Sequence, residues 1–158
     1  MTTVPSLGPR GEGWVALQLL LMAATAAAAL TGPAWSGAAR VATTAGGLAV
    51  IGAGGLLAVR GATDLRAALS PFPRPRDGAE LVVKGAYRIV RHPIYSGIIL
   101  AAAGWSLLAA APFVLLGAAA LFALFDLKSR REEAWLLERH PGYAAYRRTT
   151  RKLIPGLY

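Results

Sequence analysis

The chain has 158 residues, 55% of them hydrophobic and 16% charged, with a formal net charge of +9 and no cysteine. That length supports a single domain over 1–158, and the missing cysteines exclude a disulfide framework, a thiolate nucleophile and a Cys-based zinc site, so no metal is expected. Apolar residues rich in Ala, Leu and Gly come in long uncharged runs with Lys and Arg at their edges, a pattern that suits a bilayer with anionic headgroups and argues against a nucleic-acid partner.

Trp14 to Leu30 is interrupted only by Gln18 and Thr25 and predicts a first membrane span over 14–31. Arg10 stands alone before it and no cleavage site leads into a polar mature region, so this helix is read as retained. A Gly32-Pro33 break and Arg40 precede Val41 to Val59, an uncharged second span over 41–59 whose Gly46-Gly47, Gly52 and Gly54-Gly55 would let a neighbouring helix approach closely. Arg60 to Pro93 is polar and holds Pro71, Pro73, Pro75 and Asp77-Gly78, which predicts a turn-rich loop over 60–93.

Ile94 to Ala111 reads as a third span, Pro112 as a reversal, and Phe113 to Phe125 as a short fourth, together a helical hairpin. Mixed charge from Asp126 to Glu138 predicts that the last helix continues out of the bilayer as an amphipathic segment until His140-Pro141-Gly142 ends it. The basic, aromatic tail from Tyr143 to Tyr158 suits a segment lying among headgroups. The expected fold is therefore all-α and polytopic, with about four transmembrane helices. Of 17 Lys and Arg residues, seven fall in 60–93 and eight from 126 onward, which by the positive-inside rule puts the loop, the amphipathic helix and both termini on the cytoplasmic side of an inner or plasma membrane.

Two polar constellations meet at that face. The first is Gly85-Ala86-Tyr87-Arg88-Ile89-Val90-Arg91-His92-Pro93-Ile94-Tyr95-Ser96-Gly97, in which Pro93 suits a helix first turn and places Arg91 and His92 at its mouth, where free N–H groups favour an anion. Position alone also allows a plainer assignment, with Arg88 and Arg91 as interfacial anchors and Tyr95 as part of an aromatic belt. The second is Lys128-Ser129-Arg130-Arg131-Glu132-Glu133, followed by Tyr143-Ala144-Ala145-Tyr146 and Leu153-Ile154-Pro155. Adjacent carboxylates near a membrane surface can take an ammonium or ribose hydroxyls, or can form local pairs such as Lys128 with Glu132, each worth about 0.3–0.5 kcal/mol.

Together these pieces resemble the isoprenylcysteine carboxyl methyltransferases, their bacterial relatives and the phospholipid N-methyltransferases. Arg91-His92-Pro93-x-Tyr95-x-Gly97, an apolar hairpin, Glu132-Glu133 and a closing Tyr143-x-x-Tyr146 follow in that family's order, over about 81–155. The resemblance implies methyl transfer from S-adenosylmethionine in a membrane-embedded pocket, to a lipophilic or membrane-associated acceptor, by carboxylate O-methylation or lipid N-methylation. It implies cofactor contacts by His92, Pro93, Tyr95, Gly97, Glu132 and Glu133, and a basic residue near the acceptor for which Arg91, Lys128, Arg130 and Arg131 compete. No Gly-x-Gly-x-x-Gly strand-to-helix unit of a Rossmann domain is present. A membrane reductase using a nicotinamide cofactor and a non-catalytic membrane interaction protein are the other readings, and the half from Val4 to Val59 is expected to supply helix surface against the hairpin and part of a lipid entry path.

Overall fold

The structure, a computed structural model, describes residues 4–31 and 36–158, so the expected Gly32-Pro33 break lies outside the described residues. Five α-helices run in chain order: α1 (Glu12–Ala27), α2 (Gly37–Leu65), α3 (Pro93–Ala109), α4 (Pro112–Arg139) and α5 (Tyr143–Thr149). Short 3-10 turns at Ala28–Thr31, Arg66–Ala68 and Gly85–Arg88 extend or join them, and no strand occurs among the described residues. The regular structure of the described residues is all helical, which satisfies backbone polar groups within each apolar run even where α2 is rich in glycine.

Two helical stretches, Glu12–Leu30 and Gly37–Ala68, are long and apolar enough to cross a membrane, and only 11% of either apolar window is buried inside the protein. Leu19 and Leu20 on α1, Leu56 and Val59 on α2, and Leu115 and Leu116 on α4 point outward, which a lipid environment accommodates and water does not.

The second helix runs past the expected loop boundary at Arg60 to Leu65. Arg60, Thr63 and Asp64 end the apolar run, but no Pro stops the helix there, so charge marked the membrane edge and not the helix end. Pro93 occupies the first turn of α3, where its missing N–H costs nothing. The α3–α4 reversal is made by Ala110 in the left-handed region (φ 55°) and extended Ala111, with Pro112 opening α4.

Packing follows the small residues. A Cβ added at Gly47 or Gly54 of α2 would run into the backbone of Gly104 or Gly97 of α3, and one at Gly61 into the Pro93 ring, so the two helices pack closely at glycines spaced seven residues apart. On the other side of the bundle Thr25 of α1 fills the space beside Gly117 of α4. Between these seams Ala102, Ala118, Leu121 and Phe125 form the buried core, with Leu21, Met22, Tyr95, Ile98 and Ile99 against it. The helices thus pack as α1 on α4, α4 on α3, and α3 on α2.

The tail packs closely against the mouth of α3. Tyr143 and Leu153 are almost completely buried. The Arg91 amide donates to the Arg151 carbonyl at 2.7 Å, the His92 amide donates to the Lys152 carbonyl at 3.2 Å, and the Ser96 hydroxyl donates to the Leu153 carbonyl at 2.7 Å. The segment after α5 is therefore tied to the front of α3.

Candidate active site

At the mouth of α3, His92, Tyr95 and Phe125 form one aromatic stack: His92 and Tyr95 lie 5.4 Å apart at 5°, and Tyr95 and Phe125 lie 4.6 Å apart at 15°. The stack fixes the Tyr95 ring, and its hydroxyl donates to Glu132 Oε2 at 2.7 Å. His92 Nε2 lies 3.0 Å from Glu133 Oε1, and since a carboxylate oxygen accepts, the proton is on Nε2.

The two adjacent glutamates face different surroundings. Glu133 is buried and held by Arg91 Nε at 2.9 Å, His92 at 3.0 Å and Arg147 Nε at 3.3 Å. Burial alone would raise its pKa; the hydrogen bonds and charges of His92 and Arg91 outweigh it and hold the carboxyl down at about 2. Arg91 also donates to the carbonyls of Arg147 and Thr150 and so ties α5 to the front of α3. Glu132, by contrast, lines two cavities.

One cavity, of about 290 Å³, is bounded by Gln18 of α1, Leu65 of α2, Leu69, Ser70 and Pro71 of the loop, Tyr87, and then His92, Ile94, Tyr95, Lys128 and Glu132. The other, of about 80 Å³, lies between the loop and α5, with Phe72, Leu81, Val82, His140, Tyr143 and Tyr146 among its walls and Arg91 and Glu132 at its inner end. The Tyr143 hydroxyl is buried there without a hydrogen-bond partner. Burial, reinforced by the Glu133 and Glu132 charges, raises its pKa, so it stays a protonated donor. The Tyr146 hydroxyl donates to the Tyr87 carbonyl at 2.6 Å and fixes the loop against α5.

Lys128 is 1% exposed. It does not pair with Glu132 one turn away; its ammonium donates to Gln18 Oε1 at 2.6 Å and to the Pro71 carbonyl at 3.3 Å, and stands 5.0 Å from the centre of the Tyr95 ring. Burial lowers its pKa to about 8, against a smaller opposing pull from Glu132.

Of the residues singled out from sequence, the structure gathers Arg91, His92, Tyr95, Lys128, Glu132 and Glu133 into one cluster. It places three others elsewhere. Pro93 and Gly97 belong to the α2–α3 seam, where Gly61 and Gly54 press against them. Arg130 is more than half exposed and pairs with Asp126 at 2.7 Å; it lines neither of the two chambers but an open cleft that Arg91 and Glu133 also border. That pairing belongs to a buried knot that sequence reading missed: Asp126 also accepts from Lys152 Nζ at 2.5 Å and the Tyr158 hydroxyl at 2.6 Å. Gln18 was missed as a site residue, and so was Asp64, whose carboxylate accepts from the Ala86 amide at 2.7 Å and fills the space beside Gly85, which has φ 62°. The one available signal for Gln18 was a polar side chain inside an otherwise apolar run.

The model of the phospholipid methyltransferase family matches residues 42–141, well over half the chain. The chain belongs to that family. The match runs from early α2 to the turn after α4, so it takes in the aromatic stack, Lys128 and both glutamates of this membrane methyltransferase fold, and leaves out α1 and the tail. It also starts well before the Leu81 boundary expected for the family-like region. No curated protein matches the chain.

Proposed function

We propose that the protein is a four-span membrane methyltransferase that uses S-adenosylmethionine to methylate a lipophilic acceptor, with both termini and the site at the cytoplasmic face. The observation that carries this reading is Glu132, one carboxylate forming a wall of two adjoining chambers, as a reaction between two bound molecules requires. In support of four crossings, the 17 residues of α3 reach about 26 Å at 1.5 Å per residue, close to the hydrocarbon thickness, and α4 pairs with it as a hairpin.

The residues fit the cofactor. The smaller chamber, at about 80 Å³, takes one end of it only: it offers apolar walls at Leu81 and Val82 and an unpartnered buried hydroxyl at Tyr143, and a bound polar group there would satisfy that donor, the rest of the cofactor reaching past Glu132 toward the larger chamber. Glu132 and Tyr87 stand at the smaller chamber's border with the larger one, which His92 and Tyr95 line, while Glu133 acts from behind by locking Arg91 and His92 in place. When bound, S-adenosylmethionine supplies a methyl group already activated by the sulfonium charge. The protein's work is then positioning and exclusion of water: the aromatic stack sets one wall, Glu132 favours positive charge beside it, and the chamber under Gln18 and Lys128 receives the acceptor.

Calorimetric binding of S-adenosylhomocysteine to detergent-purified protein tests the reading. Wild type is expected to bind, with affinity lost in His92→Ala, weakened roughly 10- to 100-fold in Glu132→Gln and reduced less in Tyr143→Phe. A folded wild type that does not bind favours a nicotinamide-dependent reductase or a non-catalytic protein instead.

A further inference from the structure

The larger chamber contains a buried cation with no carboxylate in contact with it. An ammonium out of water normally has a carboxylate against it, because desolvation costs several kcal/mol. Lys128 has two neutral oxygens instead, from Gln18 and Pro71, and makes no ion pair among the described residues. The titratable groups facing it are few. Tyr95 and Glu132 share its end of the chamber, with Glu132 engaged by the Tyr95 hydroxyl; Tyr87 and His92 lie further along the wall. Segment 69–71, Leu65 of α2 and α1 contribute none, and Gln18 is the one residue by which α1 reaches the chamber. Gln18 also lies outside the family match, so nothing in that match assigns it a part.

We propose that Gln18 sets the charge of the acceptor: its neutral oxygen holds the Lys128 ammonium at the chamber wall without cancelling it, so the chamber takes a lipophile that carries an acid group. This rests on the methyl-transfer reading and names its substrate class. The carboxylate of such a lipophile meets Lys128, while Glu132 at the same chamber's border favours the sulfonium donor. A lone pair on the carboxylate oxygen forms the new C–O bond as the methyl carbon's bond to sulfur breaks; sulfur keeps that pair and becomes a neutral thioether, and no proton moves. The methyl ester is uncharged and loses its attraction to Lys128, which favours its release. A protonated amine would instead be repelled by Lys128 and would first have to lose a proton. Gln18 is a positioning residue in this scheme, acting through Lys128.

The test uses the full chain in a non-ionic detergent, with dodecanoate and dodecylamine as probes. Acetic anhydride labels an amine only when it is deprotonated, so the pH midpoint of Lys128 labelling, read by peptide mass spectrometry, reports its charge without turnover. Dodecanoate is expected to raise the wild-type midpoint by half a unit or more, as a rough expectation for a nearby opposite charge, and dodecylamine to leave it unchanged. Gln18→Glu is expected to raise the midpoint with no probe present, to abolish the response to dodecanoate, and to lower methylation of dodecanoate relative to dodecylamine by roughly tenfold or more. The double variant Gln18→Lys/Lys128→Gln, which returns one cation to the same wall, is expected to recover the preference. A wild-type midpoint indifferent to dodecanoate, or a Gln18→Glu protein that responds as wild type does, overturns the proposal. Failure of the methyl-transfer reading shows separately, as absent S-adenosylhomocysteine binding.

Discussion

Glu132 and Glu133 follow one another on α4, yet one carboxylate is open to two chambers while the other is closed in by Arg91, His92 and Arg147. A helix turns 100° per residue, so neighbours in sequence look in different directions, and a paired-acid motif is a poor guide to paired function. One face of α4 keeps its charges partly unsatisfied and available, at Glu132 and Lys128. The other spends its charges on structure, at Glu133 and Asp126. Unsatisfied groups cost stability and can serve a ligand; satisfied groups do the reverse.

The sharpest way to break this division is Glu133→Gln. It leaves Arg91 and His92 buried beside a neutral amide, a loss of about 3–5 kcal/mol, and a fall in Tm on the order of 10 °C by scanning calorimetry is expected. Glu132→Gln should instead keep Tm within a few degrees and weaken S-adenosylhomocysteine binding roughly 10- to 100-fold, the size of one charged hydrogen bond. Equal thermal losses in the two variants would erase the distinction.

Acid titration sharpens the same point. Because the Glu133 carboxyl is held at about 2 in the folded protein against 4.5 when free, its stabilisation is complete above pH 4.5 and drains away as pH falls toward 2. Lys128 has the opposite sign of cost. Its pKa of about 8 lies below the free value of 10.5, so the unfolded chain binds the extra proton, and stability should rise as pH climbs from about 8 to 10.5. Lys128→Met is therefore expected to raise Tm by a few degrees at pH 7 while lowering methyl transfer, and to flatten the alkaline rise in Tm.

Smaller effects test residues away from both groups. Gly97→Ala, in the α2–α3 seam, should lower Tm through a collision with the Gly54 backbone, about 1–3 kcal/mol, with cofactor affinity of the folded fraction unchanged. Arg130→Gln, more than half exposed, should cost less than about 0.5 kcal/mol and change activity less than twofold.

How much of this could be read from the chain depended on how far apart the partners lie. The apolar runs and Pro93 gave α1 to α4 to within a few residues, because hydropathy and helix starts are local signals. The front of the site was legible for the same reason: Arg91, His92 and Tyr95 fall within five consecutive positions, and Glu132 and Glu133 within two. What failed was distance and direction. Gln18 and Lys128 meet across 110 positions, and the tail's return to Arg91 and His92 spans about sixty, with no periodicity to announce either. Pro93 and Gly97 belong to the motif as a string, but their helix face turns them toward α2.

The tail's return sets an order in time. A ribosome adding roughly 5–20 residues per second needs several seconds to go from Arg91 to the residues whose carbonyls receive the Arg91 and His92 amides. During that interval α2 and α3 can already pack along their glycine seam, while the amides of Arg91 and His92 still lack the tail carbonyls that will receive them. The mouth would then close in one late event, when Arg151 and Lys152 dock, and a released chain truncated just before Arg151 would be a helical bundle whose mouth stays open.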